Sequence, residues 1–263
     1  MLRLLLLLLS CLISVVQTSS SQNKSNPIKV ALVQAELKWG DIDANLKDFE
    51  QRVDQCKDCD LIVFPELFTS GCEMKKRDPQ EKKKSKDKIA ARYPEIVNRM
   101  QKWAQKSQAL IIGSTIYKEN GKYYNRLLAV FPNGDYKIYD KHNCFNKGSF
   151  SSGKDHLVLN WKNHRFSTFI CYDLRFPEWS RNDNNYETAI YIANWPASRH
   201  TDWEKLLQQR AKENQANVIA VNCAGKDPFG KNYQGGSCII NASGKKIIQC
   251  KDYKENIAFG FIP

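Results

Sequence analysis

The chain has 263 residues, enough to bury a substantial core, and nothing in it resembles a linker. Its formal charge of +12, from 40 Lys+Arg against 28 Asp+Glu, gives a basic surface that suits acidic substrates or simply keeps the protein soluble. Much of the excess lies in Lys75 to Lys88, K-K-R-D-P-Q-E-K-K-K-S-K-D-K, a solvated loop and helix start with no stacking aromatic. A nucleic-acid partner is therefore not expected.

At the N-terminus, Met1-Leu2-Arg3 precedes an apolar stretch of about the length of a signal-peptide core, with small polar residues from Thr18 to Ser21 behind it. Residues 1–20 thus read as a secretory leader, too short for a typical membrane span, and residues 27–263 as a single domain. A retained anchor and a lipid-bearing Cys11 are the alternatives. A functional leader would make the protein secreted or luminal, whereas without one it is cytoplasmic. Nine cysteines, one in the leader, leave eight, of which Cys56 and Cys59 are the closest pair for a disulfide in an oxidising compartment. A zinc site would need a second pair at comparable spacing, and none is seen, so no metal is expected. Asn23 and Asn241 begin acceptor triplets for glycosylation along a eukaryotic secretory route.

Ile28 to Ala35 reads as a first strand. Leu46, Phe49 and Val53 then recur at helical spacing within Asp41 to Cys56, behind a cap at Asp43. Leu61 to Phe64 is the next strand, which completes a crossover unit. Ile89 to Gln108 predicts a helix interrupted near Pro94, with Ile96, Met100 and Trp103 facing the core. Strands follow at Ala109 to Tyr117, Tyr123 to Phe131 and Tyr136 to Tyr139, the last two joined by a Pro132-Asn133-Gly134-Asp135 turn. Asp140 to His156 is a loop. Leu157 to Leu159, Phe166 to Ile170 and Thr188 to Ala193 resume the sheet, and a helix follows His200-Thr201-Asp202 to about Asn214. Asn217 to Asn222, Gly236 to Ile240, Lys246 to Gln249 and Ala258 to Phe261 are late strands. Crossovers mixed with hairpins imply mixed α/β sheets.

Three strand ends carry the chemistry. The run Phe166 to Ile170 delivers Cys171 to its carboxyl end, ahead of Asp173, Arg175, Glu178 and helix-compatible residues beyond Pro177. A thiol at such a rim is either an activated nucleophile or a small buried hydrophobe. Asp60 to Phe68, D-L-I-V-F-P-E-L-F, sets Glu66 just past another strand, and Tyr136 to Phe145, Y-K-I-Y-D-K-H-N-C-F, does the same for Lys141. Read singly, Glu66 and Lys141 are an ordinary ion-pairing carboxylate and an ordinary exposed lysine. The four histidines show no pairing with the cysteine, which disfavours a cysteine-histidine protease.

Together, F-P-E, Y-D-K and I-C-Y-D-L-R-F-P-E resemble the nitrilase superfamily of carbon-nitrogen hydrolases, and closely its omega-amidase-like branch. The similarity runs from about Ile28 to Phe261 and includes A-N-W-P at Ala193 to Pro196 and R-A-K-E-N-Q at Arg210 to Gln215. The resemblance implies a four-layer α-β-β-α sandwich and a homodimer formed through helices near the nucleophile. It also implies a small-molecule amide substrate and no cofactor, while the shortness of the leader's apolar stretch predicts no stable membrane span once the leader is removed. Cys171 is then the nucleophile, Glu66 the general base, and Lys141 with the Tyr172 backbone N–H the oxyanion site. Asn194, Trp195 and Arg199 fall at the substrate pocket. Asp173 and Arg175 are expected to brace the turn after the nucleophile. The branch suggests thiol-dependent hydrolysis of an omega-amide such as 2-oxoglutaramate. One departure stands out. Relatives place a second glutamate between the lysine and the cysteine, but here K-H-N-C-F-N-K-G-S-F-S-S-G is shortened and puts Asn146 or Gly148 at that point, with Asp155 as a more distant substitute. A catalytically weak or inactive binding protein is the alternative that this loss suggests.

Overall fold

The computed structural model describes residues 26–71, 78–145 and 148–263. The leader, the Asn23 triplet, the first residues of the lysine run and Asn146 lie outside the described residues. Two six-stranded sheets stack face to face. The first contains β1 (Ile28–Gln34), β2 (Leu61–Val63), β3 (Leu110–Glu119), β4 (Lys122–Val130), β5 (Tyr136–Asp140) and β14 (Asn256–Ile262), in the order β14-β1-β2-β3-β4-β5. The second contains β6 (Val158–Trp161), β7 (His164–Ile170), β8 (Thr188–Ala193), β9 (Asn217–Asn222), β12 (Cys238–Ile240) and β13 (Lys246–Gln249), in the order β13-β12-β9-β8-β7-β6.

Strand alternation sorts the apolar residues into separate layers. Leu32, Val63, Ile112, Ile170, Ile192 and Val221 point between the sheets, where all are fully buried. The opposite face of the first sheet, including Val33, Ile62 and Ile111, packs on α1 (Ile42–Gln55) and α3 (Tyr93–Ser107). The outer face of the second sheet packs on α4 (His200–Asn214) through Trp203, Leu207 and Ala211. Three hydrophobic cores between four layers make the α-β-β-α sandwich, and each fully buried Leu, Ile, Val or Phe contributes about 1.5–3 kcal/mol of transfer energy.

Several local expectations are corrected. The cap of α1 is Asp41, whose side chain accepts from Ala44 N at 3.0 Å; Asp43 lies within the first turn and pairs with Arg92 at 2.7 Å. The lysine run continues as a helix, α2 (Pro79–Ala91), which is separated from α3 at Arg92. The interruption expected near Pro94 thus falls at Arg92, and Pro94 sits in the first turn of α3, where its missing N–H had no intrahelical partner to lose. No helix follows Pro177; instead Cys171–Arg175 form a single 3-10 turn. A two-stranded ribbon of β10 (Ala224–Lys226) and β11 (Asn232–Gln234) was not anticipated, since strands of 3 residues leave no readable alternation.

The parallel pairs β1–β2, β2–β3, β7–β8 and β8–β9 align strand ends within each sheet. The carboxyl ends of β2, β5, β7 and β8 release Glu66, Lys141, Cys171 and Asn194.

Candidate active site

Each site residue is held by a local device. After β2, Pro65 ends the strand, and the following turn is strapped to β3: Leu67, at φ 47°, donates its N–H to Ser114 Oγ at 2.8 Å, and Phe68 N donates to Ser114 O at 3.1 Å. Lys141 extends the β5 ladder by donating its N–H to Asn125 O at 3.0 Å and accepts from Gly153 N at 3.0 Å. Only glycine fits at 153, because a Cβ there would sit 2.0 Å from Asp140 O. Arg126 fixes the strand end through a two-pronged pair with Asp140 at 2.8 and 2.7 Å.

Cys171 has φ 48°, a left-handed conformation that a non-glycine residue holds only where its surroundings enforce it. The enforcing group is Asp173, which is fully buried. Its Oδ2 accepts from Ile170 N at 3.0 Å and Tyr139 Oη at 2.7 Å, and its Oδ1 accepts from Asn143 N at 2.7 Å. Trp179 Nε1 in turn donates to Tyr139 Oη at 2.9 Å. Asp173 therefore braces the turn at Cys171, as its position suggested. Replacing it with alanine should destabilise the fold by about 3 kcal/mol, measured by thermal or denaturant unfolding. Burial raises its pKa despite Lys141 and its three donors. The native state thus holds this proton more tightly than the unfolded chain does. Its contribution to stability grows as pH falls through the raised value and levels off below the ordinary carboxylate range.

These devices bring Glu66, Lys141 and Cys171 together at one cavity of about 130 Å³. Glu66 Oε1 accepts from Lys141 Nζ at 2.7 Å and from Asn125 Nδ2 at 2.7 Å, while Oε2 accepts from Asn194 N at 2.9 Å. Burial opposes the Lys141 charge, but the neighbouring Glu66, Cys171 and Asp173 hold its pKa above the ordinary lysine value. Burial, then Glu66, pushes the Cys171 thiol well above its ordinary range, with Lys141 and the Asn194 backbone N–H pulling the other way. Cys171 thus rests as a thiol in the cavity that Glu66 and the Lys141 ammonium ion also line.

Tyr172, Asn194, Trp195 and Arg199 all line the same cavity. Trp195 also belongs to the core: it packs on Trp203 at 5.5 Å and donates Nε1 to Arg199 O at 2.7 Å. Asn125, Cys144, Phe150 and Tyr233 line it as well, and the sequence reading missed them. Asn125 carried no readable signal, since it sits beside Arg126 in a strand that opens with Lys122. Among the described residues, the carboxylate that hydrogen-bonds Lys141 is Glu66. Asp155 is exposed and makes no ion pair with Lys141, so it does not replace the missing loop glutamate, and Gly148 sits in an exposed turn. No histidine is among the residues lining the cavity; His142 and His156 stack on Trp179 at 3.5 and 3.9 Å. Cys56 and Cys59 are free buried thiols, raised by burial to about 12 and about 11. Among the described residues, no group of three or more His, Cys, Asp or Glu could hold a metal ion, and no helix is long and apolar enough to cross a membrane.

A carboxylate, an ammonium ion and a thiol gathered at the rim of a two-sheet α/β sandwich define a hydrolase of the nitrilase-like class. The carbon-nitrogen hydrolase family model matches residues 29–263, and the chain belongs to that family. It is 38% identical over 224 residues to the omega-amidase YafV of Escherichia coli K12, covering 84% of each chain. It is 28% identical to the 2-oxoglutaramate amidase of Bacillus subtilis, covering 84% of this chain and 85% of that one. Among solved structures, it matches a CN-hydrolase superfamily protein from Xanthomonas campestris with a TM-score of 0.84 at 29% identity, over 90% of this chain and 91% of the other. The chain is accordingly a carbon-nitrogen amidohydrolase.

Proposed function

We propose that the protein cleaves the terminal amide of a small dicarboxylate monoamide, of the 2-oxoglutaramate type, to a carboxylate and ammonia through a thioester on Cys171. The observation that carries this reading is the Glu66 carboxylate, which touches Lys141 at 2.7 Å and lines one small cavity with Cys171. The proposed sequence is as follows. The thiol proton passes to Glu66 as sulfur bonds to the amide carbon. The carbonyl oxygen becomes an oxyanion facing Lys141 Nζ and the Tyr172 backbone N–H. The C–N bond then breaks, and Glu66 returns the proton to the departing nitrogen. Water adds to the thioester, again giving a proton to Glu66; the S–C bond breaks and the thiol recovers its proton. A thiol held above its ordinary pKa fits proton transfer during attack rather than a standing thiolate.

The substrate's distal carboxylate calls for a cation. Arg175 is paired with Asp202 at 2.6 Å, whereas no carboxylate among the described residues pairs with Arg199, whose guanidinium lies 4.8 Å from the Phe145 ring centre. We assign the distal carboxylate to Arg199. Arg199→Met should raise KM for an anionic amide by about 10–100-fold, the worth of a charge-assisted hydrogen bond, and leave a neutral amide of equal length nearly unchanged. Equal losses on both substrates would remove Arg199 from this role.

The test of the whole reading is ammonia release from a carboxamide panel, with protein lacking residues 1–20 and its Cys171→Ala variant side by side. A second reading, a slow enzyme or a binding protein using the same cavity, is favoured by Glu66 being, among the described residues, the one carboxylate hydrogen-bonded to Lys141. No turnover of any amide, with Cys171 still open to alkylation, would select it.

A further inference from the structure

The cavity contains polar atoms that the catalytic residues leave unsatisfied. Asn125 is 1% exposed, and its Nδ2 donates to Glu66 Oε1 at 2.7 Å. A carboxylate accepts only from the nitrogen, which fixes the orientation of this amide and leaves Oδ1 as a buried acceptor with no partner. Asn194 is 9% exposed; its backbone N–H serves Glu66 Oε2, yet both of its side-chain atoms, Oδ1 and Nδ2, lack partners. Two orphaned amides thus flank the same carboxylate, one from each sheet, and both line the cavity with Cys171. Buried polar groups left without partners in a native fold mark a place for a ligand with complementary polarity.

We propose that Asn125 and Asn194 recognise the primary carboxamide of the substrate, their unfilled Oδ1 acceptors taking the two N–H groups of the scissile –CO–NH2. This rests on the amidohydrolase reading of the site and adds the group that the site selects. An ester or an acid offers no N–H pair and leaves both acceptors buried and unfilled, so discrimination falls on the nitrogen itself. Asn194 is the sharper probe. Its side chain makes no hydrogen bond within the protein, so a purely structural asparagine would lose nothing by truncation.

The experiment measures binding to the full-length chain carrying Cys171→Ala, which removes the chemistry. Calorimetry compares the monoamide and the monomethyl ester of one five-carbon dicarboxylate. The amide should bind more tightly than the ester. Adding Asn194→Ala should cut that preference by about 10-fold while changing ester affinity by less than about 2-fold. Adding Asn125→Ala should cut the preference by a similar factor, with a thermal melt confirming the fold; if that variant does not fold, Asn194→Ala alone decides. An unchanged amide-to-ester ratio, equal weakening of both ligands, or no binding of the amide would overturn the assignment. Turnover by the unsubstituted protein scores the amidohydrolase reading separately, so the two can fail independently.

Discussion

Replacing Cys171 with alanine is expected to abolish ammonia release, lowering kcat by on the order of 10⁵-fold while the melting temperature stays close to that of the unsubstituted chain. Removing the sulfur takes away the atom proposed to form the thioester, and among the described residues no histidine and no other thiol is hydrogen-bonded to Glu66. Cys144 lines the cavity, but its thiol faces Lys141 O and Ser151 O at 3.8 and 3.9 Å, and burial raises its pKa. Intact-mass measurement during turnover should find an acyl adduct that disappears in the variant. Retention of the unsubstituted rate, or an adduct on Cys144 instead, would defeat the mechanism.

Glu66→Gln should cost about 10²–10⁴-fold in kcat. The substitution is nearly isosteric, but it deletes the proposed base and also disturbs the cation. The charge of Lys141 prevails over its own burial because Glu66 stands 2.7 Å away, and a neutral amide there removes that support. The ammonium group loses its compensating charge, and its pKa should fall from its raised position toward or below the ordinary lysine range. The alkaline limb of the pH-rate profile should therefore move to lower pH in Glu66→Gln, while the unsubstituted enzyme keeps Lys141 charged throughout the neutral range. A profile shifted upward, or a rate within tenfold of the unsubstituted enzyme, would contradict the base and ion-pair roles together.

The strand ends at Glu66 and Cys171 were legible because each candidate residue follows a buried apolar run, Leu61–Val63 in one case and residues 166–170 in the other, whereas Lys141 follows the largely exposed β5 and was found by its Y-D-K motif. Burial on both faces forces such runs to be apolar, so the first charged or reactive side chain marks the rim. The helical stripe of α1 was readable for the same reason, as Leu46, Phe49 and Val53 are all buried. What escaped were features set by partners remote in sequence. Asn125 has meaning only beside Glu66, 59 positions earlier in the chain, and Ser114 only as the strap for Leu67, 47 positions away. The break expected near Pro94 falls at Arg92, because a proline fits the first turn of the helix that follows the break. Trp195 could be read as pocket or core, and it is both.

Glu66 hangs from the first sheet, yet one of its oxygens is gripped by the backbone at the end of β8 in the second. The carboxylate is thereby a stitch across the seam of the sandwich, and its alignment reports how tightly the two halves are closed. A small slide of one layer against the other, well short of unfolding, pulls the base off either the ammonium or the opposite strand. Loss of turnover on warming should then precede loss of ellipticity, making catalysis the most sensitive gauge of the seam.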